Sequence, residues 1–429
     1  MARKSTSRIE TPPCTAPVQW RDVQAEFWQS HGGKWAAPQH YMCTYMAMFP
    51  PELPHYFIRR FTAEGDTILD PFSGRGTTPL EAMAQGRFGI GNDLNPLAVA
   101  LTRGKLSNPD CATVIERLNE LEIAFSIEEW LDSASEPEQI KMIFHENTLA
   151  QLRYLKSQLD WSESGSDAFI VAILMGAMHG SSRGFLSVPM PNTFSMSPNY
   201  IRKYIAEKGL ISPNRDVFSI LEERIHRALR GGKLPGEGRA IYGDVRTLDS
   251  KITHDSTQLI FTSPPYLKVI KYGLYNWIRL WFLLDSEDYT DVDDVLDDGH
   301  SLNKYLEFIK ESLEATLPLL DRKRGLSCWV IGDVKGLNLA KEVWERSCKN
   351  IEVELEDGSV MRYKLLAIVE DHIPDNEKVT RIWNSTEDKS GKATPIDRIL
   401  IVAPETSDPI SYLDNSQIDW IRNSLERDQ

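Results

Sequence analysis

The stretch GDTILDPFSGRGTTPLEAMAQGRFGIGND, residues 65–93, contains the pattern that decides the fold. A Gly-Asp turn precedes a short β-prone run that ends at Asp70, and the glycine-rich segment PFSGRG follows directly. A helix is predicted from about Thr77 to Gln85, closed by Gly86. The run RFGIGND then predicts a second strand. Strand, glycine turn, helix and strand in this order predict the opening of a doubly wound α/β sheet.

The glycine-rich turn is a candidate ligand site. Gly74 and Gly76 lack a Cβ, so the backbone can approach a ligand closely. A dinucleotide fingerprint requires a third glycine where this chain has Pro79, and a P-loop requires Gly-Lys-Ser/Thr, so the spacing fits neither. Asp93 ends the next predicted strand, where a carboxylate can accept both protons of a ribose diol. A plain strand-to-helix turn is the alternative for a lone G-x-G, and the later motifs favour the ligand site.

The α/β pattern stops near residue 105 and resumes near residue 239. The intervening residues predict mostly helices, including the apolar core helix AFIVAILMGAM at 168–178. Further strands are predicted in RAIYGDV (239–245), QLIFT (258–262) and LSCWVIGDV (326–334), with a terminal pair in YKLLAIVEDHI (363–373) and DRILIVAPE (397–405). The predicted fold class is α/β: a Rossmann-like sheet, mostly parallel with a terminal antiparallel strand pair, plus a largely helical insertion.

This pattern divides the chain into four regions. Residues 1–40 are predicted to be an N-terminal arm, and residues 41–105 the ligand-binding half of the sheet domain. Residues 106–238 form the helical insertion, which ends in the linker-like GGKLPGEGR (231–239). Residues 239–429 complete the sheet domain.

Composition restricts the class of protein. The chain has 429 residues, 41% of them apolar, and no stretch approaches the roughly 18 apolar residues that span a bilayer. Five scattered cysteines without a C-x-x-C predict no metal site and a reducing cytoplasm. The net charge of −14 is unfavourable for a general polyanion binder, so a nucleic-acid partner requires a locally basic face. Eight acids in residues 285–299 predict a solvated loop kept away from any polyanion.

A rigid corner follows the predicted strand QLIFT, in TSPPYLKVIKYGLYNW at residues 262–277. A corner of this kind can present hydrogen-bond acceptors to an amine, such as the exocyclic amine of a nucleic-acid base. That amine is a poor nucleophile, and acceptors aimed at its N–H protons draw it towards a reactive geometry. Such acceptors are offered by the hydroxyl of Ser263 and the carbonyl of Pro264. The consecutive prolines Pro264 and Pro265 restrict φ and so keep these acceptors in place. Tyr266 offers a ring face for an extruded base, worth about 1–3 kcal/mol. The alternative is an ordinary proline-rich turn without a function. It is less favoured because the same chain also carries the candidate ligand site in its glycine-rich turn.

Together these segments resemble a known family. ILDPFSGRGTT followed by GIGNDLNP resembles the S-adenosylmethionine site of amino-group DNA methyltransferases, and YGDV with LIFTSPPY resembles their third and fourth motifs. TSPPY is similar to the N4-cytosine branch, whereas the N6-adenine branch usually carries D-P-P-Y or N-P-P-Y. The resemblance covers about residues 40–105 and 240–405. It implies a Rossmann-like methyltransferase sheet, S-adenosyl-L-methionine as cofactor and double-stranded DNA as substrate.

The resemblance also implies roles by position. Asp70 would anchor the loop near the methionine amino group, Asp93 would bind the ribose, and Asp244 would approach the adenine edge. The stretch 45–54 resembles the segment that packs beside the methionine moiety. The implied cofactor-binding residues are Asp70, Phe72, Ser73, Gly74, Gly76, Thr77, Asp93 and Asp244.

DNA recognition is assigned to the insertion, chiefly residues 181–239. In a common arrangement of the family the PPY half precedes the cofactor half, whereas here the cofactor half comes first. Basic side chains spaced by three are expected along one side of a helix, where they could contact phosphates or simply be solvated. The candidate DNA-binding residues are Arg224, Arg227 and Arg230, together with Lys268 and Lys271 beside Tyr266.

The predicted function is transfer of a methyl group to cytosine N4 in duplex DNA within a restriction–modification system, where a cognate restriction endonuclease is a possible partner. Three alternatives stay open: an N6-adenine DNA methyltransferase, an RNA base methyltransferase, and a DNA-recognition subunit without catalysis. Carbon-5 methylation of cytosine needs a cysteine nucleophile, usually in a Pro-Cys pair. The pair Pro13-Cys14 lies ahead of the glycine turn and not after a strand, so it is not predicted to be catalytic.

Overall fold

Seven strands form one sheet in the order β3-β2-β1-β4-β5-β9-β8. The computed structural model describes residues 36–45, 49–192, 194–265, 272–284, 301–334, 336–372 and 396–409. The strands are β1 (Thr67–Asp70), β2 (Phe88–Asp93), β3 (Glu237–Tyr242), β4 (Leu259–Thr262), β5 (Leu326–Gly332), β6 (Val353–Glu354), β7 (Val360–Met361), β8 (Tyr363–His372) and β9 (Ile396–Pro404). The short strands β6 and β7 pair with each other in a separate ribbon.

The sheet is parallel from β3 to β5, and β9 runs antiparallel to both β5 and β8. The predicted strands and the terminal antiparallel pair are therefore confirmed. One boundary differs: β3 begins at Glu237, inside the segment that its glycines and proline marked as a linker. Parallel pairing of Phe88 with Glu237 fixes this start, which local composition could not reveal.

Thirteen α-helices surround or extend this sheet in the part of the chain that is described. They are α1 (Glu52–Phe61), α2 (Thr77–Ala84), α3 (Pro96–Leu106), α4 (Cys111–Ala124), α5 (Ile127–Trp130), α6 (Glu138–Lys141), α7 (Glu146–Gln158), α8 (Ser166–Ala177), α9 (Pro198–Lys208), α10 (Val217–Leu229), α11 (Tyr272–Leu283), α12 (Leu302–Thr316) and α13 (Leu339–Val343). 3₁₀ turns at Pro38–Tyr41, Val245–Ser250 and Leu317–Leu319 and a π turn at Trp344–Cys348 complete the elements. Among these elements no helix is long and apolar enough to cross a membrane.

Alternating side chains bury both faces of the sheet, as period-two strands require. One face, with Ile68 and Phe261, packs against α1. The other face, with Ile260 and Trp329, packs against α12 and α13. A further core joins α3 to the helices of the insertion and to α11, with the wholly buried α8 at its centre. The insertion therefore shares a core with the helix that follows the Ser-Pro-Pro corner.

Candidate active site

The glycine turn and the Ser-Pro-Pro corner lie at the carboxyl ends of neighbouring parallel strands. β1 ends at Asp70, β4 ends at Thr262, and the two strands pair directly. The strand order reverses between β1 and β4, and in open α/β sheets ligands bind at such a switch point. Two segments almost 200 residues apart in sequence thus form one site.

The glycine turn needs its glycines for backbone and packing reasons. Gly74 and Gly76 have φ of +49° and +77°, in the left-handed region that glycine adopts without strain. A Cβ on Gly74 would lie 3.4 Å from the ring of Tyr45, and one on Gly76 would lie 2.7 Å from Thr102 Oγ1. The space next to Gly76 is therefore filled by α3.

Replacing Gly76 with alanine is expected to lower the free energy of unfolding by about 2–4 kcal/mol, because left-handed strain and a contact with Thr102 add. Gly65→Ala is the matched control, since Gly65 has φ of +84° but a Cβ there would meet nothing within 4 Å. Gly65→Ala introduces only the left-handed backbone strain, which is expected to lower the free energy of unfolding by about 1–2 kcal/mol. Urea unfolding of both variants measures the difference, and equal losses would contradict the packing argument.

Asp93 closes the turn from the end of β2. Its Oδ2 accepts from Gly74 N at 2.8 Å, and its Oδ1 accepts from Asn95 N at 2.9 Å. Removal of the carboxylate from water raises the pKa of Asp93 to about 6, against the lowering effect of these two N–H groups. The half-buried carboxylate keeps free lone pairs for further hydroxyl donors.

Asp70 is buried beneath the turn, with 1% of its surface exposed. Its Oδ1 accepts from Thr262 Oγ1 at 2.6 Å and from Phe72 N at 3.2 Å. Burial raises the pKa of Asp70 to about 7, against the lowering effect of these hydrogen bonds, and the charge of Asp93 adds to the rise. Asp70 therefore contacts both the glycine turn and the end of β4.

This environment gives a pH-dependent prediction. Because the pKa of Asp70 is raised, the folded protein retains a proton that the unfolded chain releases near pH 4, so stability falls as the pH rises towards 7. Asp70→Asn removes this titration. Its stability relative to wild type is expected to increase by about 2 kcal/mol between pH 5 and pH 8 in the absence of ligand. Urea unfolding across this range tests it, and a gap independent of pH would contradict it.

The other predicted cofactor residues surround the same turn. Phe72 packs on Phe308 and Trp329, with ring centroids 5.7 and 6.0 Å apart. Ser73 Oγ lies 3.3 Å from Thr102 Oγ1, and Thr77 begins α2. Phe72 is half-buried, and Ser73 and Thr77 are buried, so packing and hydrogen bonds to neighbouring elements hold these side chains in place.

Asp244 lies beyond β3, close to Asp93. Gly243 N donates to the carbonyl of Asp93 at 3.1 Å, which brings the two strand ends together. The Asp244 carboxylate caps the turn Val245–Ser250 and accepts from Arg246 through both oxygens. These hydrogen bonds from Arg246 hold the pKa of Asp244 below its usual value. The ion pair with Arg246 was not evident from the sequence.

The Ser-Pro-Pro corner directly follows β4. Ser263 and Pro265 are half-buried, and Pro264 is buried. Tyr266, Lys268 and Lys271 lie outside the described residues.

A loop of the insertion lies against α11, the helix that follows the corner. Trp277 Nε1 donates to the carbonyl of Met196 at 2.9 Å, and Ser195 N donates to the carbonyl of Tyr275 at 2.9 Å. Trp277 is 2% exposed, so its indole belongs to the core that the insertion shares with α11. The insertion is therefore joined to α11 by hydrogen bonds as well as by packing.

The three arginines of α10 differ in environment. Arg224 donates to the carbonyls of Gly176 and Gly184 at 3.2 and 2.7 Å, and lies 5.0 Å over the ring of Phe185. Burial lowers the pKa of Arg224. Arg227 is exposed and pairs with Glu223, and Arg230 is exposed at the end of the helix. Equal spacing thus does not give equal exposure.

Several residues that support the turn were missed by sequence reasoning. Glu81 of α2 accepts from His40 at 3.0 Å and from His55 at 2.6 Å. These contacts join α2, which follows the glycine turn, to the 3₁₀ turn Pro38–Tyr41 and to α1. Burial alone would raise the pKa of Glu81, but these hydrogen bonds outweigh it and lower the pKa to about 2. Arg75 donates to the carbonyl of His40, and Lys105 donates to the carbonyl of Arg75. Glu81 and Lys105 occupy buried positions of α2 and α3, and charged residues among apolar helical neighbours are the signal that could have revealed this network.

The sheet, the glycine turn and the paired strand ends together define a class. A seven-stranded, mostly parallel sheet with one reversed strand between β5 and β8, and a glycine turn after β1, is a Rossmann-like methyltransferase fold, as predicted.

Comparisons with known proteins find segments similar to this chain in DNA methylases. Residues 6–103 match the family model for DNA methylases of the N6/N4 type. The chain is 38% identical over 71 residues to the Type II methyltransferase M.MjaII of Methanocaldococcus jannaschii, covering 17% of this chain and 13% of that protein. It is 34% identical over 103 residues to the Type II methyltransferase M.BglI of Bacillus subtilis, covering 24% and 28%. The chain thus spans less than a third of the length of these relatives.

Residues 6–103 are therefore similar to DNA methylases of the amino-group type, which supports the resemblance seen in the sequence motifs. Family and fold imply S-adenosylmethionine as the methyl donor. Among solved structures, TrmN from Thermus thermophilus has a TM-score of 0.30 at 10% identity, covering 83% of this chain and 49% of that one. The rRNA methyltransferase aviRa from Streptomyces viridochromogenes has a TM-score of 0.29 at 12% identity, covering 86% and 91%.

Proposed function

We propose that this protein transfers a methyl group from S-adenosylmethionine to an exocyclic amine of a base in double-stranded DNA, and that the amine is N4 of cytosine. The observation that carries the proposal is the meeting of the glycine turn and the Ser-Pro-Pro corner at the ends of β1 and β4. A donor site and an acceptor site must be adjacent for direct in-line transfer.

The turn fits the cofactor chemically. Asp93 presents a half-buried carboxylate with spare lone pairs at the end of β2, which suits a ribose diol. The backbone from Phe72 to Gly76 forms the turn beside it, and Asp70 lies beneath. When bound there, S-adenosylmethionine would supply an electrophilic methyl group on its sulfonium. The roles of Ser73, Thr77 and Asp244 belong to the same proposal.

The corner fits the amine. Ser263 Oγ and the carbonyl of Pro264 would accept hydrogen bonds from the two N–H groups, which lessens delocalisation of the nitrogen lone pair into the ring. Two consecutive prolines restrict φ and keep these acceptors in place. Tyr266 would stack on the base once it has left the duplex.

Cytosine is proposed over adenine because serine stands at position 263. The N6-adenine branch usually carries Asp or Asn there, and the sequence LIFTSPPY is similar to the N4-cytosine branch. The Type II methyltransferases that the chain matches support DNA as the substrate class and a restriction–modification context. A cognate restriction endonuclease would then be a partner.

The insertion is proposed to position DNA. Its residues Ser195 and Met196 are hydrogen-bonded to α11, the helix that follows the corner in the sequence, so contacts made by the insertion would lie near the reacting base. Arg227 and Arg230 are exposed and suited to phosphate contacts. Lys268 and Lys271, close to Tyr266 in the sequence, would hold the flipped strand. Arg224 would act indirectly, by holding the loop through the carbonyl of Gly184.

The substrate class is tested with S-adenosylmethionine labelled on its methyl group and three acceptors: duplex DNA, single-stranded DNA and bulk RNA. We expect label to enter duplex DNA, and to enter it more slowly as salt rises, because phosphate contacts release counterions. Label confined to RNA would replace the proposal with the RNA alternative. Cofactor binding without transfer to any acceptor would favour a recognition subunit.

A further inference from the structure

Thr262 joins the two halves of the site through one side-chain hydrogen bond. It is the last residue of β4 and directly precedes Ser263. Its hydroxyl donates to Asp70 Oδ1 at 2.6 Å, and Asp70 is the last residue of β1. Both side chains are buried, with 0% and 1% of their surface exposed. A short hydrogen bond to a buried carboxyl group is among the stronger ones in proteins.

This bond lies where the backbone pairing of the two strands stops. The paired positions of β1 and β4 are Ile68 with Leu259 and Leu69 with Ile260. After these positions, the backbone of β1 continues into the glycine turn and the backbone of β4 continues into the Ser-Pro-Pro corner. The same Asp70 oxygen also accepts from Phe72 N, so the contact runs from the end of β4 into the backbone of the glycine turn.

We propose that Thr262 is a positioning residue that sets the Ser-Pro-Pro corner in register with the cofactor turn. The inference rests on the proposed function and deepens it, since the in-line transfer requires donor and acceptor to be aligned. A displacement of about 1 Å between reacting groups can cost about 10²-fold in rate. Thr262 itself touches neither substrate, and it acts through Asp70 and Ser263.

The segment that leads into β4 offers a matched control. Thr257 lies just before β4, is also 0% exposed, and its hydroxyl has no hydrogen-bond partner among the described residues. Thr257→Val therefore makes the same change of shape and polarity at a buried position near the start of β4 without removing a hydrogen bond. Thr262→Val removes the bond to Asp70, and Thr262→Ser keeps a hydroxyl that can restore it.

The test compares these variants with wild type in the full chain. Single-turnover methyl transfer, on the acceptor that wild type methylates, gives the rate. Calorimetry gives the dissociation constant for S-adenosylmethionine, and thermal unfolding gives stability. Hydrogen–deuterium exchange of peptides covering residues 68–76 and 259–265 measures how firmly the ends of β1 and β4 are held together. This measurement does not require methyl transfer.

For Thr262→Val we expect a 10- to 100-fold slower transfer, a cofactor dissociation constant within about threefold of wild type, and faster exchange in both peptides. Thr262→Ser should recover most of the rate, and Thr257→Val should match wild type. Wild-type rate and exchange in Thr262→Val would overturn the inference. So would losses in Thr257→Val as large as those in Thr262→Val, which would mark a general packing effect. Absence of transfer by wild type itself would refute the proposed function instead, while exchange would still decide the role of Thr262.

Discussion

Replacement of Ser263 with alanine is expected to slow methyl transfer by about 10²–10³-fold while cofactor binding is retained. The hydroxyl is proposed as one of two preorganised acceptors for the amine, and removal of one such group in an enclosed site costs a factor of this size. The proposed cofactor contacts lie at the ends of β1, β2 and β3 and not on the corner after β4, so the dissociation constant for S-adenosylmethionine should stay within about threefold. Single-turnover rates and calorimetry on the same preparation provide the two measurements.

Ser256→Ala is the control for this prediction. Ser256 lies at the opposite end of β4, and its hydroxyl bonds locally to the carbonyl of Thr253. It should transfer at the wild-type rate. Tyr266→Ala is expected to behave like Ser263→Ala, because Tyr266 is also assigned to the base. Full activity in Ser263→Ala would remove the serine from the mechanism.

Replacement of Asp93 with alanine is expected to weaken binding of S-adenosylmethionine by about 10- to 100-fold. Two effects add: the ribose would lose its charged acceptor, and the N–H groups of Gly74 and Asn95 would lose the partner that shapes the turn. A hydrogen bond to a charged group is worth about 1.5–3 kcal/mol, and 1.4 kcal/mol is tenfold in affinity. Calorimetry gives the dissociation constant directly.

Asp66→Ala is the matched control at the other end of the sheet. Asp66 lies just before β1, accepts from Ala63 N and pairs with Arg324. Its loss should lower stability without changing cofactor affinity. An Asp93→Ala protein that binds the cofactor as wild type does would show that another acid holds the ribose.

The sequence allows local structure to be predicted where local chemistry determines it. Asn95 caps α3 through Leu97 N, with Pro96 in the first turn, as the residue types require. The strand Thr67–Asp70 and the helix from Thr77 follow from a turn, a β-prone run and a glycine pair. In each case the interactions lie within a few residues of one another.

Long-range partners could not be predicted in this way. The hydrogen bond from Thr262 to Asp70 spans 192 residues, and the carbonyls that hold Arg224 lie 40 or more residues away. Spacing by three placed Arg224 with Arg227, yet the fold of the loop at 184–190 decides which guanidinium faces inward. The glycines of the turn likewise had a role in packing against Tyr45 and Thr102 that only the tertiary structure reveals.

The central claim is that the Ser-Pro-Pro corner methylates an exocyclic amine of a base in DNA, and nucleoside analysis of the product tests it most directly. Duplex DNA free of prior methylation is incubated with the protein and methyl-labelled S-adenosylmethionine, digested to nucleosides, and analysed by mass spectrometry. We predict label in N4-methylcytosine, and about 10²–10³-fold slower appearance of that label when Ser263→Ala replaces wild type under the same conditions. Label in N6-methyladenine would refute the assignment to cytosine, and label in 5-methylcytosine or in no nucleoside would contradict amino methylation itself.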